Sequence, residues 1–233
     1  MLCSGQADPE RTDEWKGEKN MDERFVNLRS TKNPKARIKM LSGHFATKNS
    51  HVNTYIDMST VKTRHNNARE TAKTLAAEYL TNTMVDTIVC MKNTEVIAAF
   101  MAQELADSSN ISMSAGNNIS VVTPEFDSSG QILFRDNNQR MIQGKQVLIL
   151  TDSMATGTLT MQAIESVIYY GGRVCGICAV FSAISRVAGM EVKSIFTSSD
   201  LPDYHVYNAH ECQMCKEGKK LDGLVNSFGY VKL

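Results

Sequence analysis

The residues best suited to chemistry in this chain lie where one element hands over to another. Val147-Leu-Ile-Leu150 is a continuous apolar run, and Thr151-Asp-Ser-Met-Ala-Thr-Gly-Thr-Leu159 follows it before a helical pattern begins. Such a run reads as a strand buried on both faces. A helix starting just beyond it offers unpaired N–H groups and the positive end of its dipole, which favour an anion. Gly157 would let the backbone approach a phosphate closely, with the hydroxyls of Thr156 and Thr158 on either side. Asp152, at the strand end, is placed to accept hydrogen bonds from sugar hydroxyls. Asp and Thr also serve as plain helix caps, so the same residues have a purely structural reading.

Other reactive side chains are scattered. His210, Cys212 and Cys215 form H-x-C-x-x-C, a spacing that suits zinc if His205 or a partner chain supplies a fourth ligand. The reading adopted is a structural loop with two thiols, with zinc at Cys212 and Cys215 as the alternative and no residue assigned as a metal ligand. Cys175 and Cys178 repeat the C-x-x-C spacing inside an apolar strand. An i, i+3 pair on a regular strand points to opposite faces, so they read as small core residues. His44, His51 and His65 read as solvated loop histidines, the methionines as core packing, and Lys216, Lys219 and Lys220 as a solvated face.

The elements that must position these groups alternate. Ala68, Ala72, Leu75, Ala76 and Tyr79 predict an amphipathic helix over 67–82, and Val96, Ile97, Phe100, Met101 and Leu105 a second over 94–106. Residues 158–170 predict a third, with Met161, Ile164, Val167 and Ile168 on one face and Gly171-Gly172 ending it. Apolar runs at 87–91, 119–123, 147–150 and 174–181 predict strands. Residues 22–41 read as one or two short helices at the edge. Strands separated by helices imply an α/β fold, a parallel sheet of about five strands with helices on both faces. Ligands in such sheets bind beyond the carboxyl ends of the strands.

The 233 residues, with 25 Lys plus Arg against 25 Asp plus Glu, suit one substantial α/β domain. The charge balance gives no sequence-wide reason to expect nucleic acid or an anionic membrane as partner. No apolar run approaches the roughly 18 residues a membrane span needs. The first 20 residues are polar, unlike a signal peptide, and read as a flexible tail, with residues 21–233 forming a single domain. A cytoplasmic protein with reduced thiols is expected.

The buried strand, the acid and the Ala155-Thr-Gly-Thr-Leu159 loop resemble the ribose-5-phosphate loop of type I phosphoribosyltransferases. Three further segments narrow the resemblance to bacterial orotate phosphoribosyltransferases. They are Gly43-His-Phe45 with Tyr55 downstream, Gly130 with Arg135, and Cys212-Gln-Met-Cys215-Lys-Glu-Gly218. The order and spacing agree from about residue 40 to 220. The resemblance implies the family fold with a small hood built from the N- and C-terminal segments. It implies a homodimer, magnesium as cofactor, and transfer of phosphoribose from phosphoribosyl pyrophosphate to orotate, giving orotidine 5-phosphate and pyrophosphate. Residue by residue, Asp152 would hold the ribose hydroxyls, with Thr151 beside it. Ala155, Thr156, Gly157, Thr158 and Leu159 would bind the 5-phosphate. Lys92 would contact pyrophosphate, and Arg135 substrate or leaving group.

Three departures from the family pattern bear on turnover. Thr151 stands where the family has the first of two acids. Cys90-Met-Lys-Asn-Thr-Glu95 replaces a Gly- and Pro-rich pyrophosphate loop, and Glu95 adds negative charge. The mobile-loop segment Thr123-Pro-Glu-Phe-Asp-Ser-Ser-Gly130 is acidic, with Asp127 near a position the family makes basic. These changes leave phosphoribose binding better supported than pyrophosphate handling. They open a rival reading, a non-catalytic or regulatory nucleotide-binding protein on the same fold. A phosphoribosyltransferase for another base is a third.

Overall fold

A computed structural model describes residues 24–233 except 49, 92, 108, 110, 202 and 227. The chain opens with β1 (Val26–Arg29), β2 (Arg37–Ala46) and β3 (Ser50–Asp57), then α1 (Ser59–Thr63) and α2 (His65–Ala76). There follow β4 (Thr87–Cys90), α3 (Glu95–Ala106), β5 (Ser120–Val122), the short pair β6 (Glu125–Phe126) and β7 (Ile132–Leu133), and α4 (Asp136–Gln139). The site-bearing unit is β8 (Gln146–Met154), α5 (Thr158–Tyr169) and β9 (Arg173–Ser182). The remainder is β10 (Arg186–Val187), β11 (Met190–Thr197), β12 (Val206–Asn208), α6 (Gln213–Lys216), β13 (Gly223–Asn226) and β14 (Gly229–Lys232).

The central sheet runs β10-β11-β9-β8-β4-β5. β11, β9, β8, β4 and β5 are mutually parallel along that order, and β10 is an antiparallel edge. Five parallel strands are what the alternating pattern predicts. Successive side chains on a strand face opposite ways, and β8 uses this to feed two cores. Leu148 and Leu150 pack with Leu75, Ile97 and Met101 of α2 and α3, while Val147 and Ile149 pack with Ala163, Ile164 and Val167 of α5. Each of these side chains is buried. On α5 the buried face is Thr160, Ala163, Ile164 and Val167, whereas Met161 and Ile168 are exposed. The expected stripe was therefore rotated by about one residue.

Residues 22–41, read as helical, form β1 and the start of β2 where they are described. Arg37-Ile-Lys-Met40 alternates, with Ile38 buried, Met40 half-buried, and Arg37 and Lys39 exposed. That period of two belongs to a strand. β2 centres a second sheet of order β12-β3-β2-β13-β14, with β1 also paired to β2. Leu41, Phe45, Val52 and Tyr55 form its own small core, with the Tyr230 ring tilted against Tyr55 at a centroid distance of 4.9 Å. This second sheet, the hood, joins early and late parts of the chain. The expected tail over residues 1–20 lies outside the described residues.

Cys175 and Cys178 both pack against the α2–α3 core instead of facing opposite ways. The register explains it: Val147 pairs with Val174 and Leu148 with Gly176, so Cys175 is an extra residue in β9. A bulge shifts side-chain parity by one. Both remain core thiols, and burial pushes the Cys175 thiol up to about 12.

Candidate functional site

β4 is followed by α3 on one face of the sheet and its neighbour β8 by α5 on the other. Chain connections leaving adjacent strands in opposite directions open a crevice at their carboxyl ends. Two loops border it, Met91–Thr94 after β4 and Ala155–Gly157 after β8. The first is tied at its base to β8 and to itself. The Met91 N–H donates to the Leu150 carbonyl at 2.8 Å, and the buried Thr94 hydroxyl donates to the Met91 carbonyl at 2.8 Å.

Asp152 sits near the carboxyl end of β8 and is only 5% exposed. Its Oδ2 accepts from the Lys62 ammonium at 2.9 Å, and its Oδ1 accepts from the Ser153 hydroxyl at 3.0 Å and from the Ser153 N–H. Lys62 comes from α1, which sequence reasoning left without an element. The signal missed was Ser59-Thr-Val-Lys-Thr63, too short for a periodicity argument. The acid and its cation line a small cavity of about 60 Å³ between the central sheet and the hood. Tyr55, Met58 and Ser59 form one wall, and Asn226, Phe228 and Gly229 of the β13–β14 turn form another. Burial, with Asp57, Tyr230 and Asp152 nearby, raises the Tyr55 phenol well above its ordinary value, so it stays a neutral hydroxyl.

The loop between β8 and α5 turns on Gly157. Gly157 caps α5 with φ of 79°, in the left-handed region that favours glycine. A Cβ there would lie 2.8 Å from Ile184 Cδ1 and 2.9 Å from Val187 Cγ2, so the position excludes larger residues on two grounds. The Thr156 and Thr158 hydroxyls lie 3.0 Å apart and both residues are exposed, while Ala155 and Leu159 are half-buried. No side-chain cap bonds the N-terminus of α5. Thr151 is buried, in register with Ala179 of β9.

The other expected contacts fall differently. Arg135 precedes α4 and is held by Glu125, with its guanidinium 2.6 Å from the carboxylate. Asp127 folds back into its own turn, accepting from the Ser129 hydroxyl at 2.7 Å and the Gln131 N–H at 2.8 Å. Glu95 is the first residue of α3, where a negative charge complements the helix dipole, and accepts from the Thr123 hydroxyl at 3.1 Å. Both acids thus serve local structure. Lys92 lies outside the described residues.

Magnesium requires near-octahedral oxygen donors. In the cavity the protein offers one carboxylate, Asp152, already bonded to an ammonium, and a hydroxyl stands at 151. These residues do not fit a magnesium ion held by the protein alone.

A larger cavity of about 610 Å³ lies between the β1–β2 side of the hood and α1–α2, and Lys35, Arg37, Lys39, Arg64 and Arg69 line it. It includes none of residues 155–159. The histidines also depart from expectation. His65 is exposed at the start of α2, but His44 and His51 lie on β2 and β3, with His44 fully buried. They meet Cys212 and Cys215, whereas His205 and His210 are exposed.

No family model matches the sequence. Among solved structures, the UMP synthase of Leishmania donovani is similar with a TM-score of 0.52 at 20% identity, covering 70% of this chain and 34% of that one. The orotate phosphoribosyltransferase of Mycobacterium tuberculosis H37Rv has a TM-score of 0.48 at 16% identity, covering 65% and 85%. The adenine phosphoribosyltransferase of Thermoanaerobacter pseudethanolicus has a TM-score of 0.47 at 13% identity, covering 76% and 97%. The chain has the type I phosphoribosyltransferase fold.

Proposed function

We propose that the chain binds the 5-phosphoribosyl group at the β8–α5 loop and transfers it from phosphoribosyl pyrophosphate to orotate. The nitrogen–C1′ bond forms as the bond from C1′ to pyrophosphate breaks, giving orotidine 5-phosphate. One observation carries the binding half of this reading. A buried acid ends a central strand at the switch crevice, and a left-handed glycine opens the helix N-terminus five residues later. Asp152 would hold the ribose hydroxyls, and the N–H groups and hydroxyls of 155–159 the 5-phosphate. A homodimer in the cytoplasm, in pyrimidine nucleotide synthesis, completes the proposal.

A second reading, a nucleotide-binding protein without turnover, is favoured by a separate observation. Arg135, the described basic group expected to meet substrate or a departing pyrophosphate, is already engaged by Glu125, and the ammonium beside the acid, Lys62, is engaged by Asp152. Leaving-group stabilisation depends on donors aimed at the developing charge.

Calorimetry with phosphoribosyl pyrophosphate and with nucleoside monophosphates, run beside orotate consumption with magnesium present, separates the two. Turnover is expected under the first reading. Tight monophosphate binding with no orotate consumed would leave only the second. Binding that survives both Asp152→Ala and Thr158→Ala would remove the site assignment from either.

A further inference from the structure

We propose that His44, His51, Cys212 and Cys215 form a zinc site that clasps the C-terminal segment onto the hood sheet. One donor atom from each lies within 4.8 Å of every other. His44 Nε2 is 3.1 Å from His51 Nδ1, 3.5 Å from Cys212 Sγ and 3.6 Å from Cys215 Sγ, and Cys215 Sγ is 3.3 Å from His51 Nδ1. Zinc–nitrogen bonds of about 2.0–2.1 Å and zinc–sulfur bonds of about 2.3 Å imply tetrahedral edges of roughly 3.3–3.8 Å. The observed separations lie on that scale.

Hydrogen bonding around His44 points the same way. Its Nδ1 lies 2.9 Å from the Lys219 carbonyl, a group that can only accept. In the neutral ring Nδ1 therefore carries the proton, which leaves a lone pair on Nε2 facing the other three ligands. A carbonyl fixing the remote nitrogen is the usual outer support of a metal-bound imidazole. One lone pair cannot satisfy His51 and two sulfurs at once, whereas a cation satisfies all four donors together.

The backbone clamps the same place. The His44 N–H donates to Asp222 Oδ2 at 2.7 Å, and the Asp222 N–H returns to the His44 carbonyl at 2.7 Å. Gly43 makes room, since a Cβ there would lie 2.7 Å from Asp222 Oδ2. His44 and Cys212 are buried, while Cys215 is exposed and marks the side from which an ion enters. Two thiolates and two imidazoles, with all four positions taken by protein, make a closed structural centre suited to zinc.

The test is metal content, read independently of phosphoribose binding. The full chain, purified without chelator under reducing conditions, is expected to carry one zinc per chain by plasma mass spectrometry. His210→Ala should retain it, and Cys212→Ser with Cys215→Ser should lower it at least tenfold. Should that double variant not fold, the wild-type protein stripped of metal and titrated with cobalt(II) gives the decision. Intense visible bands of a tetrahedral ion, with a sulfur-to-cobalt charge-transfer band that zinc abolishes, support the site. Wild-type protein that carries no zinc and gives no such spectrum overturns the proposal, as does full zinc retention by the double variant. Loss of phosphoribosyl pyrophosphate binding with zinc intact would count against the proposed function alone.

Discussion

Asp152 shows how an acid can be legible in a sequence while its state is not. Its place between an apolar strand and a Thr-Gly-Thr turn was readable because local spacing alone defines both neighbours. Its cation was not, because Lys62 comes from 90 residues upstream on a five-residue helix. With side chains 11% and 7% exposed, the pair is close to buried, and removing one partner of such a pair strands the other. Lys62→Met is expected to destabilise the chain by about 3 kcal/mol, the low end for a buried pair, because the Ser153 N–H and hydroxyl remain on Asp152. Adding Asp152→Asn should recover most of that loss. Denaturant unfolding of the three variants checks this, and additive losses would refute the coupling. Arg135 and Glu125 behave differently because both are exposed. The Arg135 hydrogen bond and charge hold the Glu125 carboxyl below its ordinary 4.5. A depressed carboxylate contributes fully above its unfolded value and loses that contribution as pH falls through the folded one. The pair should thus survive at pH 4.5, and carbon NMR of the Glu125 carboxyl should show its midpoint below that of a free glutamate.

At the scale of elements, period and propensity located every strand of the parallel sheet except β11, and all three long helices. Long apolar strands and periodic helices carry their own signal. The hood strands did not announce themselves, since β1 buries none of its four residues and β2 breaks its alternation after Met40. Cys175 went astray for another reason: a bulge leaves no mark in residue type, so parity had to be seen in the register. The bulge sits beside a tight contact. Gly176 pairs with Leu148, and a Cβ at Gly176 would lie 2.5 Å from the Tyr79 ring. That ring is buried, with its hydroxyl donating to the Ile177 carbonyl at 2.8 Å. Gly176→Ala should therefore cost about 1–3 kcal/mol through overpacking. Thermal unfolding measures it, and combining it with Tyr79→Phe should not relieve the clash, because the ring stays.

Taken whole, the molecule sets a parallel sheet, which carries the β8–α5 loop, beneath a second sheet that closes over Asp152. The first sheet is assembled from units that follow one another along the chain, which is why a linear reading found it. The second joins β2 and β3 to β12, β13 and β14. The pairing of Phe45 with Gly223 and of His44 with Cys212 spans most of the chain, and no local pattern announces such partners. That arrangement also bears on the order of assembly. A chain emerging at roughly 5–20 residues per second exposes β2 well before β13 exists. For roughly ten to thirty seconds, Phe45 and Ala46 offer an unpaired edge beside a half-built aromatic core. The parallel sheet can form during that interval, so the hood should close last. The newborn chain is most open to wrong strand pairing along that one edge.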